Sequence, residues 1–125
     1  MREFRRQPDT RAQGRVGEEA AEAWMVAHGY RIVQRNFTCR SGEIDRVAEH
    51  DGTLCFVEIK ARAGKGFGSA VEAVPPSKQR KIARAAAFYL TKFPTELPCR
   101  FDVLAMDLEN GEWRFTWVPD AFRLA

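Results

Sequence analysis

Apolar residues recur at helical spacing over residues 16–28, where Ala20, Ala21, Trp24 and Met25 fall on one side and Gly29 follows as a C-cap. Residues 30–37 alternate instead: Tyr30 and Ile32 flank Arg31, and Val33 precedes Gln34, the period of a strand. Residues 38–42 read as a turn. Two further strands, 43–49 and 53–62, are joined at His50-Asp51-Gly52. Three glycines within 63–69 mark a flexible loop. Pro75-Pro76-Ser77 then opens a helix that runs to about Lys92, with Ile82, Ala85, Ala86, Tyr89 and Phe93 as its apolar stripe. Residues 100–108 and 113–118 read as a last pair of strands around the turn Glu109-Asn110-Gly111. The order α-β-β-β-α-β-β predicts an α/β fold, a mixed sheet with helices packed on it. Residues 1–14 read as a basic, flexible arm ahead of a single domain, 15–125.

Composition narrows the class. A chain of 125 residues, 45% hydrophobic and 30% charged, suits one packed domain and excludes a disordered tail or a fibre. The longest apolar run, residues 85–90, is far too short to cross a bilayer, and the first ten residues lack the apolar stretch of a secretory signal. Cys39, Cys55 and Cys99 are odd in number and widely spaced, and His28 and His50 stand far apart. A zinc site or a disulfide framework is therefore not expected; reduced thiols in a cytoplasmic protein are.

Charge adds a partner class. The net charge is +3 and the pI near 9.0. Lys60, Arg62, Lys65, Lys78, Arg80, Lys81 and Arg84 face a single acid, Glu72, in their stretch of chain. In the SKQRKIAR segment Lys78, Lys81 and Arg84 fall along one side of the helix, and lysines near a helix N-terminus suit phosphate. Nucleic acid is the partner this distribution favours.

The central hairpin carries the chemistry. A two-residue turn at Asp51-Gly52 pairs His50 with Thr53, which sets Asp45 opposite Glu58 and Glu43 opposite Lys60. By alternation Glu43 and Asp45 share a face, as do Glu58 and Lys60. Glu43 with Lys60 is a favourable pair, whereas directly opposed Asp45 and Glu58 repel. Glu58 and Lys60 also interrupt an otherwise apolar strand, where charge is costly unless paired or liganded. A shared proton would offset the repulsion; a divalent cation held by hard oxygens would do so better. Lys60 would reach the same place, to orient a metal-bound water or stabilise phosphate charge.

The run GEID, the hairpin turn, FVEIKAR and then AVPPSKQRKI resemble the YraN family, a group of small predicted endonucleases. GEEAAEAW with GYRIVQRNF resembles its N-terminal part, and RFDVLAMD with the following tryptophan strand its C-terminal part, so the resemblance covers about residues 14–122. That family is similar in pattern to archaeal Holliday junction resolvases and to the restriction-endonuclease-like fold. The resemblance implies Asp45, Glu58 and Lys60 as catalytic residues that cut phosphodiesters with Mg²⁺, or Mn²⁺ in its stead. It implies the backbone carbonyl of Ile59 as a further metal ligand, and a glutamate of the first helix as another. The family's GE spacing selects Glu18 for that role, while the helical wheel leaves Glu19 open. Arg62, Lys78, Lys81 and Arg84 are the expected nucleic-acid contacts, with Glu43 in support.

The expectation is a metal-dependent endonuclease acting on DNA, with branched or junction DNA as the substrate class the resemblance points to. Two-strand cutting at a junction would suit a symmetric homodimer. Two alternatives stand beside it: a nucleic-acid-binding module that keeps the fold without cutting, and an interaction domain with no nucleic acid partner.

Overall fold

The computed structural model describes residues 10–62 and 74–123, with side chains described over 17–61 and 74–123. Residues 1–9 of the expected arm and the glycine loop at 63–69 lie outside the described residues. The elements are α1 (Thr10–Ala27), β1 (Arg31–Cys39), β2 (Gly42–His50), β3 (Thr53–Arg62), α2 (Pro76–Lys92), β4 (Cys99–Glu109) and β5 (Glu112–Phe122). The expected order is thus the observed one, in a single mixed sheet of five strands ordered β1-β2-β3-β4-β5.

Helix α1 begins at Thr10, so residues 10–14, expected in the arm, are helical. It closes with the chain reversal that Gly29 permits at φ 93°. The Tyr30 amide donates to the Met25 carbonyl at 2.9 Å and the Gly29 amide to that of Val26 at 3.2 Å, the two bonds of a Schellman cap. Tyr30 and Met25 then pack in the same core.

Both short hairpin turns have positive φ at both central residues, Asp51 (50°) with Gly52 (77°) and Asn110 (51°) with Gly111 (79°). That backbone matches the right-handed twist of the flanking strands, which is why Asp-Gly and Asn-Gly read as turns. The pairing of β2 with β3 has the expected register, His50 with Thr53 through Arg46 with Val57. Strands β3 and β4 are parallel, which requires a crossover, and α2 lies on that connection. Strand β5 continues past Pro119 to Phe122, four residues beyond the expected end. Pro119 is tolerated because β5 is an edge strand, and the register shift there is held by Asp102, whose carboxylate accepts the Asp120 amide at 2.9 Å.

The sheet buries both faces. On one side α2 places Ile82, Ala85, Ala86 and Tyr89 against Phe37, Ile44, Phe56 and Val103. On the other, α1 places Ala21 and Met25 against Ala48, Val57, Leu104 and Met106. Gly42 matters for the first layer: a Cβ there would stand 3.4 Å from both the Cβ and the carbonyl oxygen of Lys81. The glycine of GEID therefore lets the first half of α2 lie directly against the start of β2.

Candidate metal and phosphate site

The site forms where β2 and β3 part. Their ladder ends at Arg46 and Val57, and the next residues along, Asp45 and Glu58, are the two acids of the hairpin. Pairing with β1 is also broken here: it steps from Arg35–Arg46 to Phe37–Ile44, and Asn36 takes φ 52°. The interruption leaves a β3 amide to be satisfied, and the Asp45 side chain does so, Oδ2 accepting the Ile59 N–H at 2.8 Å. The Asp45 carbonyl accepts Nη1 of Arg46 at 2.7 Å.

Glu58 is only 6% exposed, and its Oε2 lies 3.2 Å from Nζ of Lys78, near the start of α2. The Asp45 carboxyl is pushed up to about 7, first by loss of water around it and then by the negative charge of Glu58; the Ile59 amide and Lys78 oppose the rise. Glu43 is raised too, by burial first and then by Asp45 and Glu18. Lys78 is held above the ordinary lysine range, chiefly by Glu58, with Asp45 and Glu43 adding to it.

The expected carboxylate pair is thus brought together, and alternation sets Lys60 on the α2 side with Glu58, half-buried beside Ala105 of β4. Among the described residues no ion pair joins Lys60 to an acid. Glu43 departs from the expectation. Its expected partner across the ladder was Lys60, but pairing of β2 with β3 stops before that point, and Glu43 pairs with Thr38 of β1. Nor does it share a face with Asp45 by simple alternation, because the strand inverts at Asp45: Ile44 joins the α2-side core while Arg46 binds α1.

Of the two helix carboxylates considered, Glu18 turns to the sheet, half-buried and 3.4 Å from Arg46, whereas Glu19 is exposed. Its nearest cation is therefore a protein side chain. Among the described residues no three His, Cys, Asp or Glu side chains are grouped to hold a metal. The residues that could hold a cation are Asp45 and Glu58, a pair that suits Mg²⁺, an ion commonly held by one or two carboxylates with waters and phosphate oxygens. Two desolvated acids in mutual repulsion are the chemistry a divalent cation relieves. Ile59 contributes its amide to Asp45. Lys81 and Arg84 are exposed on α2, and the side chain of Arg62 lies outside the described residues.

Sequence reasoning did not single out Arg46. Only 3% exposed, it donates from Nε to Glu22 at 2.9 Å and from Nη1 to Glu18 at 3.4 Å as well as to the Asp45 carbonyl. Glu22 is held below the usual carboxylate range, first by its bond to Arg35 and also by Arg46. The signal was present: Glu18 and Glu22 stand four apart on the helix, and Arg46 is a charge directly before the apolar pair Val47 and Ala48. Asp102 is fully buried; it accepts Nε of Arg100 at 2.8 Å and the Tyr30 hydroxyl at 2.7 Å. It lies on the α1 side and serves packing there.

Fold and site together define a small α/β protein with an acid pair at the break of its central hairpin. The chain belongs to the uncharacterised protein family UPF0102, whose model matches residues 17–106, in agreement with the YraN resemblance. Its relatives include UPF0102 proteins of Prosthecochloris aestuarii (50% identical over 87% of this chain and 91% of the relative), Hahella chejuensis (46%; 87% and 88%) and Symbiobacterium thermophilum (44%; 90% and 98%). The solved structure of Pyrococcus furiosus SfsA in complex with Ca²⁺ aligns with 89% of this chain and 64% of its own at 14% identity and a TM-score of 0.31, a likeness that carries no argument here. No helix among the described residues is long and apolar enough to cross a membrane.

Proposed function

We propose that the protein is a Mg²⁺-dependent endonuclease that hydrolyses phosphodiester bonds in DNA, with branched or junction DNA as its substrate class. The observation that carries this reading is the apposition of Asp45 with the buried Glu58 at the break in the hairpin, with a lysine 3.2 Å from Glu58. Asp45 and Glu58 would hold the metal, with Ile59 beside them; Mn²⁺ would serve in place of Mg²⁺. The ion would supply Lewis-acid stabilisation of the charge that develops on the phosphate.

The chain's own residues supply the rest. The Ile59 amide fixes the Asp45 carboxylate in place. Lys60 stands on the Glu58 side of β3, positioned to hold a water or a phosphate oxygen by its charge. Lys81 and Arg84 on the exposed side of α2 would position the backbone of the nucleic acid without reading its bases, and Arg62 would extend that surface. Such a protein would work in the cytoplasm, as a homodimer where both strands of a junction are cut.

A cleavage assay with Mg²⁺ or Mn²⁺ over junction, flap, linear and single-stranded substrates tests the reading. Cleavage that requires the metal and disappears in Asp45→Asn supports it. Binding without cleavage would leave a non-catalytic module, and neither would leave the interaction domain.

A further inference from the structure

We propose, building on the metal-dependent reading above, that Lys78 is the resident counter-ion of the Asp45–Glu58 pair and that a divalent cation must take its place. Lys78 is the third residue of α2, and the positive end of a helix disfavours a cation. No acid stands in the first turn of α2 to hold it there. Yet its ammonium reaches over to the sheet and meets the 6% exposed carboxylate of Glu58 at 3.2 Å. The lysine itself is about half exposed, so its stem has a way out to solvent. Lys81 and Arg84, one and two turns further on, form no ion pair among the described residues. Lys78 alone of these cations is spent on the acid pair.

One ammonium against two carboxylates offsets their repulsion only in part. A divalent cation on the same oxygens would neutralise them more fully and repel Lys78. The released ammonium would then stand beside the metal, within reach of the phosphate that approaches it. Metal loading would in this way hand Lys78 from Glu58 to a phosphate oxygen.

The test is binding of Mn²⁺ alone to the full chain at fixed pH, followed by the electron-paramagnetic signal of free Mn²⁺ and by calorimetry, with no nucleic acid present. Lys78→Gln should bind Mn²⁺ about tenfold more tightly than the unmutated chain, the size expected for removing one competing charge at a partly solvated site. Lys81→Gln should match the unmutated chain, and Asp45→Asn should lose the site. Circular dichroism of each variant checks that it is folded. Unchanged or weaker Mn²⁺ binding by folded Lys78→Gln, with loss of binding in Asp45→Asn, overturns the counter-ion role and leaves the metal site standing. Absence of Mn²⁺ binding, or binding indifferent to Asp45→Asn, overturns both.

Discussion

Ile44 and Arg46 stand two residues apart on β2 and face opposite sides of the sheet, Ile44 in the core under α2 and Arg46 among the glutamates of α1. Side chains two apart on a regular strand share a face, so the strand inverts at Asp45. That inversion places the Asp45 carboxylate beside the β3 backbone, where it meets the Ile59 amide, and leaves its carbonyl for Arg46. One buried guanidinium thus ties the strand of Asp45 to the first helix.

Arg46→Ala should therefore destabilise the fold by about 2–4 kcal/mol, because the partly buried acids Glu18 and Glu22 and the Asp45 carbonyl each lose a charged donor. Urea unfolding measures it. Arg46→Lys should recover only part of the loss, since an ammonium lacks the planar fork that reaches several acceptors. A loss below about 1 kcal/mol in the alanine variant would mean that these bonds carry little net energy.

The Asp45 carboxyl, pushed up to about 7 by burial and by Glu58, sets a pH dependence. Between the ordinary aspartate range and about 7 the folded chain holds a proton that the unfolded chain has released. Stability is therefore highest below the unfolded value and falls as pH rises through about 7, by a few kcal/mol at most. Asp45→Asn should remove that fall, so the variant gains relative to the unmutated chain as pH rises from about 4 to about 7. Thermal unfolding of both across this window, in chelator, gives the comparison. Mg²⁺ added at the upper end should restore stability to the unmutated chain alone. Parallel pH curves for the two would place the titrating proton elsewhere.

Tyr30 and Asp102 lie away from the acid pair, on the α1 side. Burial first, and then Asp102, raises the phenol far above its ordinary value, so it remains a donor at any working pH. Tyr30→Phe should cost about 1.5–3 kcal/mol in unfolding free energy, the value of a buried bond to a charged acceptor. Cleavage should be unchanged in the same variant under conditions where it is folded. Loss of cleavage without loss of stability would assign Tyr30 to the site.

Most of the architecture was legible because the chain marks its own boundaries. Asp51-Gly52 and Asn110-Gly111 fix two hairpins and with them the register that brings Asp45 toward Glu58. Pro76 fixes the start of α2. Three things were not legible, each for a physical reason. The inversion at Asp45 is accompanied by a positive φ at Asn36 of the neighbouring strand, a tertiary feature that alternation along one strand cannot register, and with it Glu43 lies apart from Lys60. The extension of β5 past Pro119 relies on Asp102, eighteen residues upstream, bonding the Asp120 amide. The turn of Lys78 inward depends on how closely α2 approaches β2, which Gly42 allows but periodicity within α2 does not reveal.

Binding and cleavage should separate by residue. Asp45→Asn removes a carboxylate that would hold the metal but no contact to phosphate, so cleavage should be lost while affinity for DNA stays level or rises slightly. The rise follows because a negative charge near the phosphate is gone. Lys81→Ala combined with Arg84→Ala should do the reverse: both side chains are exposed on α2 and away from the acid pair's ion bridge. Affinity should drop to a similar degree on every sequence tested, and the slope of log affinity against log salt should flatten by about one unit per lost phosphate contact. Cleavage at saturating DNA should be retained by that double variant, because neither residue bonds Asp45 or Glu58. Fluorescence anisotropy over a salt series, with single-turnover cleavage on the same substrates, gives both quantities. Equal loss of affinity in the Asp45 variant and the double variant would make Asp45 part of the structure of the DNA-binding surface.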